Sequence, residues 1–125
     1  MSNTPTLATI YEDTGVTCMS RIIGDDAAAI TQATTSTIVL NAFKNTSTTP
    51  TYTASLTVAD VVFDSYQTDA RWSKDATGYN FRYAAIASIF DAGDATYRLE
   101  FKFTPTSGSV YFVIFKIDTV EVFTS

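Results

Sequence analysis

Histidine is missing from this sequence, and cysteine occurs only once, as Cys18. Without histidine, the chain lacks the side chain that most often serves as general base and as transition-metal ligand. A single cysteine also excludes an intramolecular disulfide and a thiolate metal cluster. We therefore predict a non-enzymatic domain with no cofactor and no metal, in which Cys18 is a small buried hydrophobic residue.

Basic residues are also scarce, since eight Lys and Arg stand against thirteen Asp and Glu, for a formal net charge of −5. Neutralising the phosphates of a nucleic acid needs a basic excess, so we expect no nucleic-acid partner. No apolar run approaches the roughly 18 residues that span a bilayer. The opening residues MSNTPT lack the features of a secretory signal. We expect a protein that is made in the cytoplasm and has no membrane partner.

The length of 125 residues fits one domain, and no internal repeat or low-complexity linker divides it. We predict a flexible N-terminal segment over residues 1–6 and a β-sandwich domain over residues 7–125. Thr and Ser occur throughout the chain, and β-branched Thr favours strands over helices. Strands are predicted over residues 7–11, 16–23, parts of 29–43, 51–58 and 79–83.

The alternation of apolar and polar residues is clearest in the strand over residues 51–58. Its apolar positions are Tyr52, Ala54, Leu56 and Val58, with Thr or Ser between them. The pattern is lost over residues 60–75, where we predict a long packed connection containing a helical turn. It returns at residues 79–83, where aromatic residues alternate with Asn80 and Arg82.

The last third of the chain predicts a β-hairpin. Tyr97, Leu99, Phe101 and Phe103 alternate with polar residues, and the sequence PTSG at residues 105–108 turns the chain. The return strand over residues 110–117 is apolar on both faces, so something is expected to cover its second face. Either a loop of the same chain, such as residues 64–72, or another subunit would do so.

Short acidic pairs beside glycine are predicted to be solvated turns. They are Glu12 and Asp13, residues 25–26, and Asp91 with Asp94, and none has the spacing of a calcium-binding loop. Tyr97, just before the penultimate strand, lies where immunoglobulin-like sandwiches place a tyrosine whose hydroxyl bonds to nearby backbone.

Arg71 and Trp72 are adjacent in the sequence and are of the residue types that anchor interfaces, although a loop tryptophan can also cap its own core.

Three stretches resemble small virion structural proteins of tailed bacteriophages and prophages: VADVVFDSYQTDARW at residues 58–72, DATGYNFR at residues 75–82, and TYRLEFKFTPTSG at residues 96–108. The resemblance covers residues 54–123 and is most specific in YRLEFKFTP. It implies an all-β fold, namely a single-domain, immunoglobulin-like antiparallel β-sandwich. Domains of this family occur on capsid exteriors, baseplates and fibres.

Larger members carry coiled coils or receptor-binding modules, whereas this sequence ends at Ser125, soon after its last predicted strand. The resemblance therefore implies a capsid decoration, or cement, protein on the exterior of the virion. Its expected partners are the major capsid protein and further copies of itself in a homo-oligomer. A tail or baseplate adaptor and a carbohydrate-binding host-adhesion module are the alternatives. The residues predicted to make contact are Tyr66, Arg71, Trp72, Tyr111, Val113 and Phe115.

Overall fold

The computed structural model describes residues 6–24 and 27–122, and these residues form mainly β-strands. The segment predicted to be flexible lies outside this part of the chain, apart from Thr6, which begins the first strand. No helix among these residues has the length and apolar character needed to cross a membrane. The elements are β1 Thr6–Tyr11, β2 Val16–Ser20, β3 Thr35–Lys44, β4 Tyr52–Leu56, α1 Val58–Val61, β5 Val62–Gln67, β6 Tyr79–Ala85, a 3₁₀ helix Ala87–Phe90, β7 Thr96–Pro105 and β8 Tyr111–Val120.

The strands form two sheets, which confirms the predicted all-β sandwich. One sheet has five strands in the order β1-β8-β7-β3-β4, and the other has three in the order β2-β6-β5. The predicted hairpin is present as β7 and β8, which pair from Thr96 opposite Asp118 to Phe103 opposite Tyr111. The sheets are antiparallel except that β1 runs parallel to β8. Adjacent parallel strands require a long connection along the chain, and here all the other strands lie between β1 and β8 in the sequence.

The core lies between the sheets and is rich in phenylalanine. Phe81 of β6 meets Phe101 and Phe103 of β7 edge to face, with ring centroids 5.0 and 5.4 Å apart. Phe101 also contacts Phe115 of β8 at 5.8 Å. All four rings are at most 3% exposed. Edge-to-face contacts add to the stabilisation from burial, so these rings tie the two sheets together.

The connection predicted over residues 60–75 is in part a strand, and this corrects the sequence interpretation. The helical turn is α1, and β5 follows it directly. In the pairing of β5 with β6, Val62 lies opposite Phe81 but Gln67 lies opposite Tyr79, so several residues of β5 bulge out. The bulge breaks the period-2 pattern, which explains why the strand was not visible in the sequence.

A turn around Gly78 closes the loop that joins β5 to β6. Gly78 has a φ of +105°, and a Cβ atom there would lie 2.2 Å from the carbonyl oxygen of Gln67. A side chain would therefore meet both an unfavourable backbone conformation and a backbone clash. Glycine at this position fixes where residues 68–78 fold back on the three-stranded sheet.

Tyr97 makes the predicted bond to nearby backbone. Its hydroxyl accepts a hydrogen bond from the Ala92 N–H at 3.0 Å and donates one to the Asp91 carboxylate at 3.1 Å. Burial raises the pKa of this hydroxyl. The buried hydroxyl of Thr119 donates to the Ala92 carbonyl at 2.6 Å. Side chains of β7 and β8 therefore hold residues 91–92, the corner that follows the 3₁₀ helix, in place.

Asn80 is a buried polar residue that holds a distant loop in place. It is 1% exposed, and its Oδ1 accepts a hydrogen bond from the Ile22 N–H at 2.7 Å. Its Nδ2 donates to the carbonyls of Ile22 at 2.9 Å and Ile30 at 3.4 Å. Buried amides are satisfied by such bonds. The Asn80 side chain therefore makes, with the loop after β2, the backbone hydrogen bonds that a neighbouring strand would make.

Candidate interaction surfaces

Asp75 organises the loop that carries Arg71 and Trp72. Its Oδ1 accepts hydrogen bonds from the Gly78 N–H at 3.1 Å and from Trp72 Nε1 at 3.2 Å. Arg21, just after β2, forms a salt bridge to Oδ2 at 2.8 Å. The Gly78 N–H, Trp72 and Arg21 together lower the pKa of Asp75 to about 2. The carboxylate thus joins the loop to the opposite edge of the three-stranded sheet.

Asp69 forms a second junction in the same loop. Arg71 Nη2 lies 2.9 Å from its Oδ2, and the Tyr79 hydroxyl donates to that oxygen at 2.7 Å. The bonds from Arg71 and then Tyr79 hold the pKa of the Asp69 carboxyl well below its usual range. Arg82 Nη1 donates to the Tyr79 hydroxyl at 3.2 Å. Charge-assisted bonds of this kind fix side-chain positions strongly.

Aromatic rings and arginine guanidinium groups pack against one another around the carboxylates of Asp69 and Asp75. The Tyr79 ring lies 5.9 Å from Phe63 and 5.6 Å from Trp72. Arg82 lies over Phe63 at 5.1 Å, and Arg21 lies over Tyr66 at 5.9 Å. Cation–π contacts stabilise such stacks. We call this group the arginine–aromatic cluster; its members are Arg21, Phe63, Tyr66, Asp69, Arg71, Trp72, Asp75, Tyr79 and Arg82.

The cluster brings together three of the six residues predicted to make contact. Tyr66 is 38% exposed and the Arg71 side chain is 53% exposed, so both reach solvent. Trp72 is half-buried, because its ring packs on Tyr79. Trp72 therefore anchors its own loop, while Tyr66 and Arg71 present surface. A groove of about 250 Å³ lies beside Tyr66 and is also lined by Phe63, Asp64 and Ser65.

The other three predicted contact residues lie on the core-facing side of β8, and the buried position of Phe115 corrects its placement on a surface. Tyr111 is half-buried and stacks on Phe103 with centroids 5.2 Å apart. Val113 packs against the core cluster, and Phe115 is only 3% exposed. Side chains alternate along a strand, so the exposed side of β8 is the one that carries Phe112.

The solvent-facing side of the five-stranded sheet, which we call the outer face, carries several exposed apolar residues. Leu7 and Tyr11 of β1 are 74% and 62% exposed, and Phe112 and Val120 of β8 are 42% and 43% exposed. Residues 64–72 lie along the three-stranded sheet, so the prediction that they cover this face is wrong. The other prediction, that another subunit covers it, stays open.

Positive side chains flank the apolar residues of the outer face. Lys102 is opposite Phe112 and Arg98 is opposite Lys116 in the pairing of β7 with β8. Both lysines are exposed, while Arg98 forms an ion pair with Glu100 and lies over the Phe43 ring. Because Glu100 and Asp118 lie on the same face, the positive and negative charges nearly cancel there, in a chain whose net charge is −5. The charged residues Lys116 and Asp118 mark the exposed side of β8, and this signal was available in the sequence.

The acidic turns make bonds to neighbouring groups of the chain. Glu12 Oε1 accepts a hydrogen bond from the Val122 N–H at 2.9 Å, and Asp91 accepts one from Tyr97. Residues 25–26 lie outside the described part of the chain. Within residues 6–24 and 27–122, no group of three or more His, Cys, Asp or Glu side chains is arranged to hold a metal ion.

Cys18 is buried, as predicted, and burial raises the pKa of its thiol to about 12. Because the thiolate is the reactive form, this residue is inert in the folded chain.

No family model, curated protein or solved structure matches this chain.

Proposed function

We propose that this chain is a non-enzymatic virion structural protein that decorates an assembled bacteriophage capsid and stabilises its shell. The observation that carries the proposal is the outer face, where Leu7, Tyr11, Phe112 and Val120 expose apolar surface. Several large exposed apolar side chains on one face of a sheet favour an interface there. Each copy would contribute a modest contact, and a repeating lattice would raise the effective concentration for neighbouring contacts.

The outer face is the proposed shell-binding surface. Phe112 would supply apolar contact, while Lys102 and Lys116 would favour an acidic rim on the major capsid protein. Charge complementarity of this kind sets orientation and speeds association. Tyr66 of β5 and Arg71 of the loop that follows β5 would face away from the shell and remain available to neighbouring proteins.

We also propose that the sandwich is immunoglobulin-like. The order β2-β6-β5 matches strands B, E and D of that architecture, and β8-β7-β3 matches G, F and C. β4 then takes the place of C′, which variable-type domains add beside C. The bond from the Ala92 N–H to the Tyr97 hydroxyl agrees with a tyrosine corner.

Quantitative mass spectrometry of purified virions tests the function directly. A copy number close to that of the major coat protein is expected for a decoration protein. A few to a few dozen copies would instead indicate a tail, neck or baseplate adaptor. Absence from virions would overturn the structural role altogether.

Binding to isolated shells then tests the surface. Phe112→Ser with Lys102→Glu should reduce shell binding at least about tenfold, because apolar contact and charge are both removed from the outer face. A matched variant on the other sheet, Tyr66→Ser with Arg71→Glu, should bind as the unaltered chain does. Equal losses in both variants would argue against the outer face as the shell-binding surface.

The arginine–aromatic cluster favours carbohydrate binding as a second candidate function. Tyr66 lies beside a groove of about 250 Å³, with Asp64 and Ser65 as polar groups on its wall. Aromatic rings with adjacent polar side chains suit a sugar ring. Trp72 is the only tryptophan, so its fluorescence reports on this region alone. Titration with host surface glycans should change the emission if sugar binds here, and an unchanged spectrum would argue against this function.

A further inference from the structure

Strand β1 forms an edge of the five-stranded sheet that lacks the usual protection against pairing. Its sequence TLATIY contains no charged residue and no proline, and its register with β8 is continuous from Thr6 to Tyr11. Natural edge strands usually carry charges, prolines or bulges that prevent pairing with another chain. Among residues 6–24 and 27–122, only β8 pairs with β1. The second edge of β1 is therefore available to another strand.

The side chains of β1 also distinguish it from β4, the edge strand at the other end of the same sheet. Leu7 and Tyr11 are the most exposed large hydrophobic residues of the described chain, at 74% and 62%. The exposed positions of β4 are instead the polar residues Thr53 and Ser55. Pairing through β1 would bury apolar surface, whereas pairing through β4 would bury little.

We propose that β1 pairs antiparallel with β1 of a second copy about a two-fold axis through Thr9, joining the two five-stranded sheets. In this register Thr9 lies opposite its own copy, Leu7 opposite Tyr11, and Ala8 opposite Ile10. Thr–Thr pairs are among the favourable cross-strand pairs, and the Leu7–Tyr11 pair removes apolar surface from water. A shift of one residue would place Leu7 opposite Ile10, which faces the core side, so the pattern of burial excludes odd shifts. A shift of two residues would pair Thr9 with Leu7 or with Tyr11, and the apolar Leu7–Tyr11 pair would be lost.

The charges near β1 permit this pairing despite the net charge of −5. On the outer face, Lys116 lies beside Leu7 and Asp118 lies beside Thr9. The two Asp118 residues of a dimer would be three strand spacings apart, roughly 14 Å. Salt screens charges beyond about 8 Å at physiological ionic strength. The joined edge therefore brings no like charges into contact.

The small area that pairing through β1 would bury predicts a weak dimer, which the repeating lattice of a shell would stabilise. Covering Leu7 and Tyr11 on both copies removes on the order of several hundred Å² from water, less than the roughly 1,200 Å² of a stable interface. High local concentration on a shell would compensate for this small area. This dimer specifies how copies of the chain would associate. Only its biological role rests on the proposed function.

Disulfide trapping in the full chain tests the register. Residues directly opposite in an antiparallel pair have Cα atoms about 4.5–5.5 Å apart, within the range of a disulfide. Thr9→Cys should therefore form a covalent dimer under mild oxidation, as seen on non-reducing gels. The native thiol does not compete, because Cys18 is buried.

Two single variants provide matched controls. Leu7→Cys lies on the same face of β1, but in the proposed register its two copies are about 14 Å apart along the strands. Thr53→Cys lies on the outer face of β4. We expect Thr9→Cys to cross-link at least about tenfold faster than either control. A mixture of Leu7→Cys with Tyr11→Cys should give a mixed disulfide, which supplies a second readout if Thr9→Cys fails to fold.

Cross-linking of Thr9→Cys no faster than Thr53→Cys, with no mixed disulfide between Leu7→Cys and Tyr11→Cys, would overturn the dimer. Equally fast cross-linking of Leu7→Cys alone would overturn the register. The assay uses purified protein, so its result is independent of virion copy number. A chain that is absent from virions but cross-links through Thr9→Cys would retain the dimer and lose the proposed function.

Discussion

The two faces of β8 differ sharply although their residues are neighbours in sequence. Phe115 is 3% exposed and contacts the Phe101 ring in the core, whereas Phe112, three positions earlier, is 42% exposed. Both are phenylalanines on one strand, so residue type does not explain the difference. Position on the strand decides which ring stabilises the fold and which is free to bind a partner.

Alanine substitution should separate these roles and gives the largest expected effect. Phe115→Ala is expected to lower the free energy of unfolding by about 3–5 kcal/mol, because it leaves a cavity beside Phe101. Phe112→Ala should change it by less than about 1 kcal/mol, because the ring is partly solvated. Urea denaturation followed by far-UV circular dichroism measures both. Equal destabilisation would show that Phe112 also contributes to the core.

A second comparison sets a buried amide against an exposed one. Asn80→Ala removes the acceptor of the buried Ile22 N–H and should cost about 1–3 kcal/mol. Asn41, on the outer face, accepts a hydrogen bond from the Thr53 hydroxyl at 2.8 Å in an exposed position. Asn41→Ala should therefore cost less than about 0.5 kcal/mol. Denaturant midpoints measured side by side would contradict this account if Asn41→Ala were the more damaging change.

The contrast between faces also explains what could be predicted from the sequence. The alternation of β7 was legible because Tyr97, Leu99 and Phe101 face the core while charged residues face water. On β8 both faces are apolar near Phe112, so the sidedness had to be inferred from Lys116 and Asp118 farther along the strand. The hairpin was therefore predicted, while the exposed side of its second strand was not.

Contacts distant in sequence account for the rest. The alternation at residues 79–83 places Asn80 among the polar positions of its strand, yet it is buried because its partner is Ile22, on a loop far away in the chain. β5 cannot be recognised from the sequence, because its bulge against β6 removes the alternating pattern. The link from Tyr66 to Trp72 passes through Arg21 and Asp75, and no local pattern reports such a path. Local periodicity predicts strands, but not the partners of their polar residues.

The smallest expected effect on stability comes from the charge of Asp75, in the exposed arginine–aromatic cluster. The folded pKa of Asp75, about 2, lies below the roughly 3.9 of an unfolded aspartate. Between these values the unfolded chain binds more protons, so acid favours unfolding. The stability that Asp75 contributes is therefore present above about pH 4 and is lost as the pH falls towards 2.

Asp75→Asn should consequently flatten the acid limb of stability against pH, although Asp69 will retain part of the slope because its pKa is also lowered. Asp60→Asn is the matched control, since it removes the same charge from an exposed position on α1 and leaves the cluster intact. Denaturant midpoints between about pH 2 and pH 6 measure the slope. Identical acid limbs in the two variants would mean that the Arg21–Asp75 contact adds nothing to folding, and that residues 68–78 are held by the Trp72 and Tyr79 rings instead.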